Sequence, residues 1–302
     1  MTNNRGVAYL GQGKVEVQSI DDPKPLNPVA RTANHGAIHK VLTNSELLDV
    51  LAKRRALASS VSAEEWAVRV DLAACYRLLA QLRMTDWIYN HISANVPGEP
   101  GHYLVNAFGL LYEEVSASNL VKVDVKGNLV EDVPLVVNPA AFVIHGAIHE
   151  ARPDANCVLH THTAAGIAVS TQKEGLLPIS QHALKFYGKV AYHDFEGIAL
   201  DDSEKVRLVQ DLGSKNAVIL RNHGLLTLGH DVAKAFKEMY FLERACQIQI
   251  NATSGSQMLN MPQQEVCEHT AAQFANDNSF IQGRDWLAML RLLDRVDSSY
   301  KQ

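Results

Sequence analysis

Two histidines, His160 and His162, close the apolar run CVLHTH, and a third, His223, interrupts the run AVILRNHGLLTLG. In an extended strand, residues two apart leave the same face, so His160 and His162 present two imidazoles to one point. His223 stands where a second strand-like run breaks at Asn-His-Gly, and Gly224 is read as the residue that permits positive φ in a tight turn. Three neutral imidazoles with a coordination position left open form the donor set of a catalytic divalent metal. A competing pair, His145 and His149, lies four apart on an expected helix, which is also a metal-binding spacing. The residues between them lack the glutamate of zinc peptidases, so this pair is expected to pack or hydrogen-bond beneath the metal strand.

Several elements must position those rings. Ser62 followed by Glu65 has the pattern of a capping box, and apolar residues then recur at helical spacing through Trp66, Val70, Ala73, Ala74, Leu78 and Leu82. Thr43 or Ser45 is suited to cap a shorter helix before it. Strand-like pieces follow in WIYNHISANV, HYLVNAF and LVKVDVKGNLV, the last with a hairpin turn at Lys126-Gly127-Asn128. A helix is expected from Pro139 to Ala151, stopped by Arg152-Pro153-Asp154. After the strand CVLHTH come a helix from Thr163, a strand near VAYHDF, the helix DSEKVRLVQDLG, the strands AVILRN and LLTLG, a long helix from Val232 to Thr253, and a last one around Trp286 to Leu293. Alternation of this kind predicts an α/β or α+β chain with helices covering a sheet. Residues 1–61 read as an N-terminal extension with an extended arm at Ile20–Val29 and a short helix, 62–254 as the main domain, and 255–302 as a C-terminal segment.

Composition narrows the function classes. The 302 residues are 47% hydrophobic and 20% charged, as in ordinary globular chains. The net charge of −5 comes from well-mixed residues, with no basic stripe to suggest nucleic acid as a partner. Cys75, Cys157, Cys246 and Cys267 have neither knuckle nor redox spacing and read as thiols in a reducing compartment. No apolar run suggests a membrane partner, and the N-terminus lacks the pattern of a signal peptide, so a cytoplasmic location is expected.

The ordered blocks YNHISANV, LVNAFGLLYEEV, VDVKGNLV, NPAAFVIHGAIHEARPDANCVLHTH and LRNHGLLTLG resemble the class II aldolase and adducin head family. The resemblance runs from Trp66 to Thr253, and GLLPIS, VAYHDFEGI and LRNHGLL look closest to its adducin-like branch. It implies a class II aldolase-like three-layer fold, with a central, mainly antiparallel β-sheet flanked by helices. It also implies one zinc on the HxH pair and the later NHG histidine, matching His160, His162 and His223, with Fe2+ or Mn2+ as other metals. A homotetramer with active sites between subunits is implied as well.

The chain departs from the aldolase pattern at informative places. The family's acid/base glutamate aligns with Ala141, which cannot move a proton, and losing a positioned general base costs roughly two to four orders of magnitude in rate. The phosphate clamp is altered too: its Gly-Asn turn reads Asn90-His91, its Ser-Gly turn Phe108-Gly109, and its serines Pro139 and Ala140. Phe108 and Ala140 offer no side-chain donor to a phosphate, so a small, non-phosphorylated and partly apolar substrate is expected. Asn90, His91, Asn106, Phe108, Gly109 and Ala140 are the candidate substrate-binding positions. His182 and Glu113 are candidates for proton transfer, His182 because its titration range suits base catalysis near neutrality.

These readings lead to a metal-dependent lyase acting on a small carbonyl compound or a hydroxy or keto acid through an enolate. One alternative is an adducin-head-like binding module without aldolase activity. Another is a non-haem iron oxygenase, since three histidines without a carboxylate can hold iron(II) with positions free for oxygen and substrate.

Overall fold

The computed structural model describes residues 5–9, 15–19, 41–138, 142–197, 202–255, 258–276 and 283–302. The expected arm at Ile20–Val29 lies outside the described residues. The chain divides into two units, residues 1–42 and 43–302. In the first, β1 (Arg5–Tyr9) and β2 (Val15–Ser19) pair antiparallel.

The second unit begins with α1 (Asn44–Arg54), capped by Thr43 in a reciprocal box with Glu46. In α2 (Ala63–Gln81) the Ser62 hydroxyl accepts from Glu65 N, but the glutamate does not reach back. Its carboxylate instead accepts from Arg69 and Lys122, which turns the buried face of the helix onto Glu65, Arg69, Leu72 and Tyr76 and leaves Trp66 half-buried.

Seven strands follow: β3 (Ile92–Asn95), β4 (His102–Val105), β5 (Val121–Asp124), β6 (Cys157–Thr161), β7 (Val190–His193), β8 (Ala217–Leu220) and β9 (Gly224–Gly229). They form one sheet in the order β5-β4-β3-β6-β9-β8-β7, with every pair antiparallel except β7–β8. The connecting helices are α3 (Ala147–Ala151, entered through a π-turn at Phe142–Gly146), α4 (Ala164–Ser170), α5 (Gln181–Leu184) and α6 (Asp202–Leu212). After the sheet come α7 (Val232–Thr253), α8 (Gln264–Asn276) and α9 (Arg284–Val296).

Strand alternation sorts the central strands onto two faces. Cys157 and Leu159 of β6 join a large core with α2, α7 and α9, whereas Val158 joins a second core with Ile144, Ile148, Leu208 and Leu212 of α3, its π-turn and α6. Helices on both faces of a mainly antiparallel sheet make three layers, as the resemblance implied. Continuing the alternation places His160 on the face of α3 and α6, and Thr161 on the face of α7, where its hydroxyl meets Met239. Among the described residues, no helix is long and apolar enough to cross a membrane.

Candidate metal centre

The three histidines of the HTH and NHG runs meet. Nε2 of His160 lies 2.8 Å from Nε2 of His162 and 3.3 Å from Nε2 of His223, and the last two are 3.0 Å apart. Each ring arrives for a local reason. His160 sits in β6, paired across β9 with Leu226, and His162 follows one residue after the strand. His223 ends the three-residue link between β8 and β9, where Leu220 pairs with Gly224.

That link corrects one sequence expectation. Asn222, not Gly224, takes the left-handed conformation, at φ 57°, which asparagine tolerates better than most residues. Gly224 is required for a different reason: a Cβ there would stand 2.3 Å from Thr161 O and 3.4 Å from His162 Cδ2. Close approach of two backbones brings His223 to the histidine pair.

Hydrogen bonds fix which nitrogen of two rings carries the proton. His160 Nδ1 is 2.9 Å from Leu225 O, and a carbonyl can only accept, so Nδ1 is the N–H and Nε2 carries a bare lone pair. His162 Nδ1 is 3.0 Å from an Asp86 carboxylate oxygen and donates to it, which leaves its Nε2 bare as well. Two bare lone pairs 2.8 Å apart repel unless a cation lies between them. Burial, then the charges of His162 and His223, hold His160 well below the usual histidine range. Burial, followed by His162 and His193, lowers His223 to about 4. Both effects keep these imidazoles neutral, the form in which they bind metal. The donor atoms, their spacing and the oriented Nδ1 protons fit a divalent cation.

A second histidine group lies directly beside the first, on the same face of the sheet. The ring of His91 is 5.7 Å from that of His160 and 4.4 Å from that of His145. His149 Nδ1 donates to Ala155 O at 3.1 Å, so its Nε2 accepts from the Ser93 hydroxyl at 2.7 Å. The Ser93 oxygen in turn accepts from His145 Nδ1, also at 2.7 Å. Thus His145 and His149 hydrogen-bond beneath the strand that carries His160, through Ser93 and Ala155. Both ring nitrogens of His91, Nε2 of His145 and the whole amide of Asn90 are buried without a hydrogen-bond partner. Burial, with the charge of His162 next, drives His91 to about 3 against a weaker opposing contact with the Tyr89 backbone.

The other candidate residues are distributed unevenly. Asn106 is buried, and its side chain is occupied by the Tyr76 hydroxyl at 2.8 Å and by Ala107 O. Phe108 and Gly109 form a turn after β4, with Gly109 exposed at φ 102°. Glu113 is exposed on a short 3-10 turn whose Glu114 caps Leu111 N. His182 packs against Phe241 of α7 at 5.4 Å, apart from the three converging rings. Ala140 and Ala141 lie outside the described residues.

Sequence reasoning missed Asp86 and Phe195. Asp86 sits in a loop with no periodic signal, between two non-glycine residues of positive φ, Arg83 at 57° and Trp87 at 48°. Phe195 lies 6.4 Å from His223 and is exposed, as are Trp87 and Tyr89 beside Asp86.

The family model described as Class II Aldolase and Adducin N-terminal domain matches residues 70–250. The chain belongs to this family. A Pseudomonas aeruginosa protein, provisionally named as an aldolase class 2 protein, is 48% identical over 248 residues, covering 81% of this chain and 95% of that protein. Alpha-adducin of Rattus norvegicus is also 48% identical, over 195 residues, but these are 64% of this chain and 26% of adducin. The solved structure of an aldolase II superfamily protein from Pseudomonas syringae is 54% identical, with a TM-score of 0.79, covering 82% of this chain and all of that one. The family span holds the whole seven-stranded sheet, the three converging histidines and Asp86, and leaves α1, α8 and α9 outside it.

Proposed function

We propose that this member of the class II aldolase and adducin family is a metal-dependent lyase that cleaves a small, non-phosphorylated carbonyl compound or hydroxy or keto acid. The observation that carries the reading is the convergence of three imidazole Nε2 atoms, two of them with their Nδ1 protons already committed. His160, His162 and His223 would hold one divalent cation, with Zn2+ the first choice on an all-nitrogen set and Fe2+ or Mn2+ as alternatives. When bound, such a cation supplies Lewis-acid stabilisation of the negative charge that an enolate oxygen carries as a bond to carbon breaks. Asp86 holds His162 in the tautomer that leaves Nε2 free. Leu225 O does the same for His160.

The surroundings support the substrate class. Exposed Trp87, Tyr89 and Phe195 belong to the segments that reach the histidines and give the rim an apolar character. His91, kept neutral by burial, offers one donor and one acceptor rather than a positive charge, which suits a hydroxyl or carbonyl better than a phosphate. With alanine at position 141, proton transfer falls to another group, for which His182 and Glu113 are proposed, reaching the site from a neighbouring subunit of a homotetramer. We place the assembled protein in the cytoplasm.

A second reading, a binding module of the adducin-head type, is favoured by one observation: identity to alpha-adducin equals identity to the bacterial relative. The deciding experiment reconstitutes metal-free protein with Zn2+, Mn2+ or Fe2+ and follows carbonyl release from non-phosphorylated hydroxy-carbonyl compounds and their phosphorylated counterparts. Metal-dependent cleavage of the first set is expected, and Ala141→Glu should raise retro-aldol turnover. Metal-loaded protein without turnover on any compound favours the binding module, and oxygen uptake with Fe2+ favours the oxygenase.

A further inference from the structure

Two of the three converging histidines have their Nδ1 proton held by a protein acceptor, Leu225 O for His160 and Asp86 for His162. Among the described residues, Nδ1 of His223 has no such acceptor. On that flank lies a small cavity bordered by His223, His193, Glu204, Asp194 and Arg221 among apolar side chains, and neither His160 nor His162 borders it. Its volume, about 10 Å3, is the room of one water molecule.

The polar groups around it are incomplete in a complementary way. His193 is buried in β7, and its Nδ1 donates to the Asp211 carboxylate at 2.7 Å, so in the neutral ring its Nε2 is an acceptor. That Nε2 is buried without a hydrogen-bond partner, and the nearest carboxylate oxygen, on Glu204 of α6, stands 3.6 Å away. Such a gap exceeds a direct hydrogen bond and leaves both groups open to a water in the adjoining cavity. Glu204 is itself buried and shares the cavity wall with the apolar side chains of Leu208, Leu220 and Ile144.

We propose that one buried water joins these groups, accepting from His223 Nδ1–H and donating to His193 Nε2 and to the Glu204 carboxylate, so that Glu204 and His193 are positioning residues for His223. The hydrogen count closes: one bond accepted and two donated, the usual three for an interior water. The third imidazole is then oriented as the other two are, with its Nε2 bare toward His160 and His162, and its acceptor is a carboxylate one water removed. Such outer partners set the tautomer of a metal-binding histidine, and their loss costs about 10–100-fold in metal affinity. This inference rests on the metal reading for its effect on affinity, but the water and the tautomer exist without metal.

The test has two arms. In the first, a high-resolution crystal structure of the wild-type protein is expected to show ordered water within hydrogen-bond distance of His223 Nδ1, His193 Nε2 and Glu204. Nitrogen NMR of the metal-free protein should show His223 as the Nδ1–H tautomer. A dry cavity, or His223 protonated on Nε2, overturns the proposal whatever the variants do. In the second, Zn2+ affinity is measured by chelator competition for wild type, Glu204→Leu and Glu204→Gln. Glu204→Leu should weaken binding about 10–100-fold, and Glu204→Gln, which still accepts from the water, should recover much of the loss. Wild-type binding with Glu204→Leu within twofold of it overturns the positioning role and leaves the metal reading intact. No binding by wild type overturns the metal reading, and the first arm then decides the water.

Discussion

At the scale of single residues, the site depends on which nitrogen of each ring carries its proton. Asp86 is the clearest case, because it is an acceptor for His162 that belongs to neither the strand nor the turn supplying the histidines. Asp86→Ala should leave the fold unchanged, as its side chain is half-exposed. It should weaken metal binding by about 10–100-fold, measured by chelator competition, and an unchanged affinity would show that His162 needs no such partner. The histidines themselves were legible in the sequence because a two-residue strand period and a turn at Asn-His-Gly are local facts. Asp86, His193 and Glu204 were not legible, since each reaches the rings only through a tertiary approach with no spacing rule. The same limit explains why Asn106, read as substrate-binding, turns out to be tied to the Tyr76 hydroxyl.

At the scale of elements, the β8–β9 turn and the start of β9 carry the burden of convergence. Gly224→Ala places a methyl group 2.3 Å from Thr161 O, a contact with backbone that cannot rotate away. We expect a loss of about 1–3 kcal/mol in stability, the usual range for overpacking, together with weaker metal binding because His223 must move from the pair. Urea denaturation and metal titration of the same variant check this, and wild-type values in both would contradict it. Several helices were legible to within a few residues: Thr43, Ser62 and Thr163 all cap the helices expected after them, and α7 spans the expected residues, whereas α8 had no expected counterpart. The capping box at Ser62 was half right. Glu65 has stronger partners in Arg69 and Lys122, and these lie in a tertiary ion-pair group that local pattern cannot reveal.

At the scale of the whole molecule, strand order was illegible, because β6 lies between β3 and β9 through pairings that join distant parts of the chain. The layered fold was legible only through resemblance and the strand–helix alternation. One consequence of burying histidines between layers is acid sensitivity. Burial lowers His149 to about 4 and His145 well below its ordinary value. Their folded values lie below the unfolded value near 6.5, so the unfolded chain binds more protons as pH drops. Their contribution is fully present above about pH 6.5 and is lost as pH falls toward 4, at about 1 kcal/mol per pH unit for each ring. Denaturation midpoints of the metal-free protein between pH 7.5 and 4.5 should fall steadily below pH 6.5, and a flat profile would contradict the neutral buried pair. The most direct test of the central claim is metal content per chain in the assembled protein, for wild type and His162→Ala, with circular dichroism as the control for folding. We predict one equivalent of divalent metal per wild-type chain and none in a folded His162→Ala variant; full retention by that variant, or no binding by wild type, would contradict the account.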